Sequence, residues 1–252
     1  MILAYDPKRD LILPEKESVI WRFMDIIKLL SLVQKKALYF SQVRKIAEKY
    51  DSHEGKYPRE TFEAYRRNGE QLAKLFNAKE MADTHYRSKK TLRKLMSEDI
   101  YDDMYINCWH TSEIETNFMW SLYTERNLGI AIKSTVERLI NSLKGYEDEI
   151  YFGMIKYGEK IVPTKSHFSA LIHKRINFKE ENELRAIIWK KWNREIKSIG
   201  INVPSDINIL IESIYVRPKT PDYLIEIIKD LLSIYKIDKE VNRSSLDVPP
   251  PY

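Results

Sequence analysis

The sequence predicts a single α+β domain carrying a helical insertion at about residues 43–98. Short runs with a two-residue apolar period alternate with segments of helical period, the signature of packed strands and helices. From residue 42 to 98 the character changes to charged, helical sequence poor in β-branched residues, and no repeat or low-complexity linker divides the chain.

At 252 residues the chain can bury roughly 70 to 75% of the surface its unfolded form exposes. Charged residues make up 31% and aromatics 12%, a balance that excludes an intrinsically disordered class. No run approaches the roughly 18 apolar residues of a membrane helix, and the amino end, MILAYDPKRD, has no apolar signal core. A cytoplasmic protein without membrane contact is expected. The one cysteine, Cys108, excludes an internal disulfide and a cysteine-rich zinc site. His167 and His173 are spaced poorly for two ligands on one helical turn, so no metal is expected. Forty-two Lys and Arg against 37 Asp and Glu give +5 and a pI near 9.0, which permits contact with nucleic acid without demanding it.

In chain order, Ser18 to Met24 (SVIWRFM) reads as a strand with Val19, Trp21 and Phe23 on one face and Arg22 on the other, between Ile20 and Met24. An arginine between apolar neighbours is costly to bury unless an anion meets its planar fork. Asp25 caps a dense apolar helix to Gln34, and Lys36 to Ser41 returns as a strand with Tyr39 and Ser41 on one face. Inside the insertion, Tyr86 to Lys94 carries Arg87, Lys89, Lys90, Arg93 and Lys94, five positive charges in nine residues. Such a run is a solvated helix face or, alternatively, a contact to a phosphate backbone.

Beyond the insertion, Met104 to His110 reads as a strand, with Thr111 and Ser112 as possible caps for a helix from Glu113 to Thr124. In that helix Ile114, Phe118, Met119, Leu122 and Tyr123 form the expected core stripe, with Trp120 off its edge. Further strands are expected at Gly129 to Lys133, Glu149 to Tyr157 and Ile211 to Arg217. Helices are expected at Ser134 to Leu143, at Ser166 to Lys174, and from Thr220 and Pro221 to Ile234 by the rule that places proline in the first turn. The tail VPPPY cannot join a helix or a central strand.

The stretch that organises the chemistry is Phe178 to Trp189, FKEENELRAIIW. If residues 183 to 189 form a strand, Glu181, Glu183, Arg185 and Ile187 share one face, and Leu184, Ala186 and Ile188 share the other. Burying those ions costs several kcal/mol each without partners. The charges therefore either pair internally or serve a ligand, and the ligand is the reading preferred here. Cys108 beside His110 is a weak nucleophilic pair, since i and i+2 share a strand face without touching. The chain has no Gly-rich phosphate loop and no Gly-x-Ser-x-Gly elbow.

The set WRF at 21–23, LYFS at 38–41, NCWH at 107–110, MWSLY at 119–123, GIAI at 129–132 and F-x-x-E-x-E-x-R at 178–185 resembles a bacterial family catalogued as a domain of unknown function. That resemblance implies a genomic setting near defence or mobile genes. More remotely, the order of an arginine on the first strand, a Ser/Thr-rich strand end and Glu-x-Glu leading into a strand is similar to the pattern of ADP-ribosyltransferases. The likeness implies a central mixed β-sheet core and NAD as substrate. Carried over residue by residue, Arg22 takes the arginine position, Thr111 and Ser112 stand for the middle motif, and Glu183 becomes the catalytic carboxylate with Glu181 beside it. His110-Thr111-Ser112 departs from the Ser-Thr-Ser of that family.

The chemistry suits those residues. Cleavage of an N-glycosidic bond passes through an oxocarbenium-like sugar, and a fixed carboxylate stabilises charge that appears only in the transition state. Arg22 suits a pyrophosphate, Ser41 shares the face of Tyr39, and Tyr39, Trp109 or Tyr123 suits a planar base. The expected function is an NAD-dependent ADP-ribosyltransferase-like effector of bacterial anti-phage defence, with a protein or nucleic acid as acceptor. A DNA or RNA base glycosylase and a non-catalytic nucleic-acid-binding module are the alternatives.

Overall fold

The structure, a computed structural model, describes residues 2–3, 11–43, 103–124, 129–158, 168–190 and 198–247. The insertion beyond Val43, including Arg87, Lys89, Lys90, Arg93 and Lys94, lies outside the described residues, as do His167 and the tail.

A mixed sheet of ten strands forms the centre, with helices on both faces, and the α+β expectation holds. Its strands are β1 (Ile2–Leu3), β2 (Val19–Asp25), β3 (Ala37–Gln42), β4 (Met104–Thr111), β5 (Gly129–Thr135), β6 (Ile150–Met154), β9 (Glu183–Trp189), β10 (Gly200–Pro204), β11 (Ser213–Val216) and β12 (Val241–Arg243). A separate parallel pair is made by β7 (Lys156–Tyr157) and β8 (His173–Lys174). The main path runs β1-β6-β9-β4-β2-β5-β11-β12, and β3 joins β4 and β10 off this path. Among the described residues, β1 with β6 and β11 with β12 are its parallel pairs.

Helices α1 (Ile26–Lys35), α3 (Val136–Ser142), α4 (Ile207–Leu210) and α5 (Asp222–Ile234) bury their apolar stripes on one face of the sheet. Leu29, Leu139, Leu210 and Ile228 pack there with Ile20, Met24, Leu184 and Ile188. Asp25 caps α1 by accepting from the amide of Lys28 at 2.8 Å, an interaction worth about 1 kcal/mol. The helix stops at Lys36, whose backbone is left-handed.

The opposite face carries two smaller clusters. One joins Ile106, Tyr151, Phe168, Leu171 and Ile187. The other joins Trp21, Phe23, Ala131, Met119 and Trp120 beneath α2 (Asn117–Tyr123).

Several expectations for the elements change. The helix after β4 begins at Asn117 and is capped by Thr116, whose hydroxyl accepts from the amide of Met119. Thr111 instead ends β4, paired with Ile20, and the Ser112 hydroxyl donates to the Ile114 carbonyl. The expected core stripe is also inverted. Ile114 is 70% exposed and Phe118, Leu122 and Tyr123 are exposed, while Trp120 is 1% exposed and packs in a T-shape with Phe23, ring centroids 4.9 Å apart. Met119 is the member of the stripe that is buried.

The stretch at 149–157 divides into β6 and β7, and the stretch before Arg175 is a short 3-10 turn, Ser169–Ile172, followed by β8. Pro221 is the N-cap of α5 rather than its first residue, and the Thr220 hydroxyl donates to the Arg217 carbonyl.

One feature of the sheet creates the site. β4 pairs with β9 from Met104↔Trp189 to His110↔Glu183. On its other edge β4 meets β3 at Ser41↔Ile106 and Gln42↔Tyr105, and meets β2 at Ile20↔Thr111 and Trp21↔His110. Residues 107–109 between them have no strand partner on that edge among the described residues. The sheet is therefore split between β2 and β3.

Candidate active site

Unpaired backbone groups in a split sheet need other partners. Here side chains supply them. Arg22 Nη1 donates to the Cys108 carbonyl at 3.1 Å, and Asn107 Nδ2 donates to the Tyr39 carbonyl at 2.9 Å. Trp109 Nε1 donates to Asn107 Oδ1 at 2.7 Å, and the Arg22 guanidinium lies 5.8 Å from the Trp109 ring centroid.

A cavity of about 740 Å³ opens at this split, within the range of small-molecule sites. Arg22, Lys28, Tyr39, Ser41 and Tyr123 line it together with Cys108, Lys174, Glu183 and Arg185. Period-two alternation puts Arg22 on the face of Ile20 and Met24 and puts Glu183 and Arg185 on the face of Ile106 and Ile187. These opposite faces share one cavity because the split lets it pass through the sheet.

The charged cluster is built by three elements. Strand β9 begins at Glu183, as the period requires, and carries Arg185 on the same face. Glu181 ends a 3-10 turn, Ile176–Glu181, and the left-handed backbone of Asn182 (φ 36°, ψ 57°) turns the chain into β9. Asparagine tolerates that conformation better than most residues. Strand β8 contributes Lys174, whose Nζ lies 2.6 Å from Glu181 Oε2 and 2.6 Å from Glu183 Oε2. Arg185 Nε donates to Glu183 Oε1 at 2.6 Å and Arg185 Nη2 to Oε2 at 3.2 Å. The Tyr123 hydroxyl donates to Glu181 Oε2 at 3.3 Å, and the Glu183 amide donates to the Tyr157 hydroxyl at 2.9 Å.

The electrostatics follow. Burial opposes charge on Glu183, but Arg185 and Lys174 outweigh it and hold the carboxyl well below its usual range. Burial likewise works against charge on Lys174, and Glu183 with Glu181 more than restores it, raising the ammonium above its ordinary value. Burial, reinforced by the Glu183 carboxylate, pushes the Cys108 thiol up to about 12. A thiol so held is not a nucleophile at neutral pH. Burial pushes Tyr157 up to about 12 as well. Arg22 is lowered by burial, with Cys108 and Tyr123 opposing, yet a guanidinium stays protonated. Among the described residues Arg22 makes no ion pair with a carboxylate.

The proposed site residues divide into two groups. Arg22, Tyr39, Ser41, Tyr123 and Glu183 meet at the cavity, and Glu181 joins them through Lys174 and Tyr123. Trp109, Thr111 and Ser112 do not line it. Trp109 is 2% exposed beneath Arg22 and cannot stack on a base. The Thr111 hydroxyl contacts Met154 Sδ at 3.6 Å. Lys174 and Tyr157 are members that the sequence reading missed. Lys174 lacks the signal that singled out Arg22, apolar neighbours on both sides, since it follows His173 and precedes Arg175, and the helix expectation over Ser166 to Lys174 gave it no strand face. Among the described residues no group of His, Cys, Asp and Glu is arranged to hold a metal ion, and no helix is long and apolar enough to cross a membrane.

No protein-family model, curated protein or solved structure matches this chain.

Proposed function

We propose that this chain is an enzyme that breaks an N-glycosidic bond, with NAD as glycosyl donor, acting as an ADP-ribosyltransferase-like effector of bacterial defence. The observation that supports it is the shared cavity of Arg22 and Glu183. An arginine without a carboxylate partner offers a planar fork to a pyrophosphate, and Tyr39 and Tyr123 offer aromatic surface to a base.

In this reading the bond between the ribose carbon and the nicotinamide nitrogen breaks, its electron pair leaves with the neutral nicotinamide, and positive charge develops on the sugar. Glu183, ionised at neutral pH, lies where that charge forms. A carboxylate offers about four acceptor sites. Arg185 occupies two of them and Lys174 a third. Cys108 on β4 stands opposite Arg185 and lines the same cavity, and the fourth site is left to a ribose hydroxyl. Glu181, beside Glu183, takes the proton from the incoming acceptor. The setting in anti-phage defence rests on the family resemblance.

A second reading also has an observation in its favour. Glu183 is 4% exposed and paired with two cations, as in a structural ion-pair network of a non-catalytic module. Incubation of the purified protein with NAD, alone and with DNA or RNA, separates the readings through free nicotinamide and free base. Nicotinamide release supports the proposal, base release without NAD makes the chain a base glycosylase, and neither product favours the module.

A further inference from the structure

We propose that Lys174 is a positioning residue that ties Glu181 to Glu183, which lines the cavity, through a single ammonium shared between the two side chains. The inference rests on the N-glycosidic reading of the site for its role in catalysis, and on geometry alone for its role in the pair. Lys174 Nζ stands 2.6 Å from an oxygen of each carboxylate, is itself 8% exposed, and lies 5.6 Å from the Phe178 ring centroid. It reaches them from β8, an element separate from the turn and strand that carry the glutamates.

The surroundings show why one ammonium bridges the two acids. Glu183 faces Arg185 on its own strand and Cys108 on β4, and its amide meets Tyr157 on β7. Glu181 faces Tyr123 on α2, and its backbone carbonyl holds His110 on β4. Arg22 lines the same cavity from β2. Arg185 pairs with Glu183 and donates through Nη1 to the Leu171 carbonyl, whereas Lys174 lies against both carboxylates. Without Lys174 the two carboxylates lose their shared cation while Arg185 stays on Glu183, and their mutual repulsion favours a proton on the pair at higher pH than before. In the proposed reaction that proton would quench the carboxylate stabilising the sugar cation or the one accepting the proton of the nucleophile.

The test compares wild type with Lys174→Met, Lys174→Arg and the double variant Lys174→Met with Glu181→Gln. The first readout is the pH profile of nicotinamide release, and the second is carbon-13 NMR of glutamate side-chain carboxyls over the same pH series. In Lys174→Met the acid limb of the profile moves up by roughly 1 to 3 pH units, and one labelled carboxyl begins to titrate in that range. Lys174→Arg keeps the wild-type limb, and in the double variant, followed by NMR because Glu181 is the proton acceptor of the proposed reaction, loss of the second acid ends the carboxyl titration. A merely structural lysine would lower the rate at every pH without moving the limb. An unmoved limb together with unmoved carboxyl resonances in Lys174→Met overturns the proposal. If wild type releases no nicotinamide, the N-glycosidic reading fails, while the NMR series still decides whether Lys174 fixes the charge of the pair.

Discussion

Arg22 and Glu183 project from opposite faces of one sheet and line one cavity. The relationship depends on β2 and β3 sharing the same edge of β4 without meeting, which leaves residues 107–109 open to side chains rather than to a neighbouring strand. A closed sheet would have put a layer of backbone between the two groups.

Replacing Arg22 tests the anion end of the cavity. Arg22→Met removes the fork and weakens NAD binding by about tenfold or more, since each tenfold is about 1.4 kcal/mol. Arg22→Lys restores it in part, because an ammonium keeps the charge and loses the bidentate geometry. Titration calorimetry with NAD checks both, and unchanged affinity in Arg22→Met counts against a pyrophosphate at this position.

His110 predicts a step in the stability profile on the acid side. Its Nδ1 lies 2.7 Å from the Glu181 carbonyl, so Nδ1 carries the proton, and Nε2 is buried without a partner. Burial lowers its pKa in the folded chain. The unfolded chain therefore takes up a proton first, and stability present at neutral pH is lost as pH falls below about 6.5, by at most about 1.4 kcal/mol per pH unit. Denaturant midpoints between pH 7 and 5 show this slope in wild type, and His110→Asn removes it. Glu183 is lowered too, so its contribution is present above its ordinary value of 4.5 and disappears in a separate, more acidic step.

Trp120→Ala costs about 3 to 5 kcal/mol in urea unfolding, because the ring is buried against Phe23. Ile114→Ser, on the exposed side, stays within about 0.5 kcal/mol. The reverse order would restore the stripe expected from the sequence.

Asn182 sets how Glu181 meets Glu183. Asn182→Gly is tolerated at its positive φ, whereas Asn182→Val costs about 1 to 2 kcal/mol and separates the carboxylates. Thermal unfolding of the two variants ranks them.

What was legible in the sequence was local. The period of two fixed the faces of β2 and β9, and with them the outlook of Arg22 and Glu183. Asp25 marked its helix because a carboxylate three residues before a free amide is a short-range fact. The inverted face of α2 was not legible, since counting apolar residues does not say which side meets Phe23. The split was not legible either, because it depends on β3 pairing with β10, a strand that the sequence reading did not separate. Lys174 was missed because a helix expectation covered β8, and its partners come from a turn and a strand later in the chain.

The most direct measurement is the rate of nicotinamide release by Glu183→Gln against wild type, at saturating NAD with binding measured alongside. The account predicts a fall of roughly 100- to 1000-fold in rate while NAD affinity stays within a few-fold. Equal rates in the two proteins would contradict it, as would a wild type that binds NAD and never cleaves it.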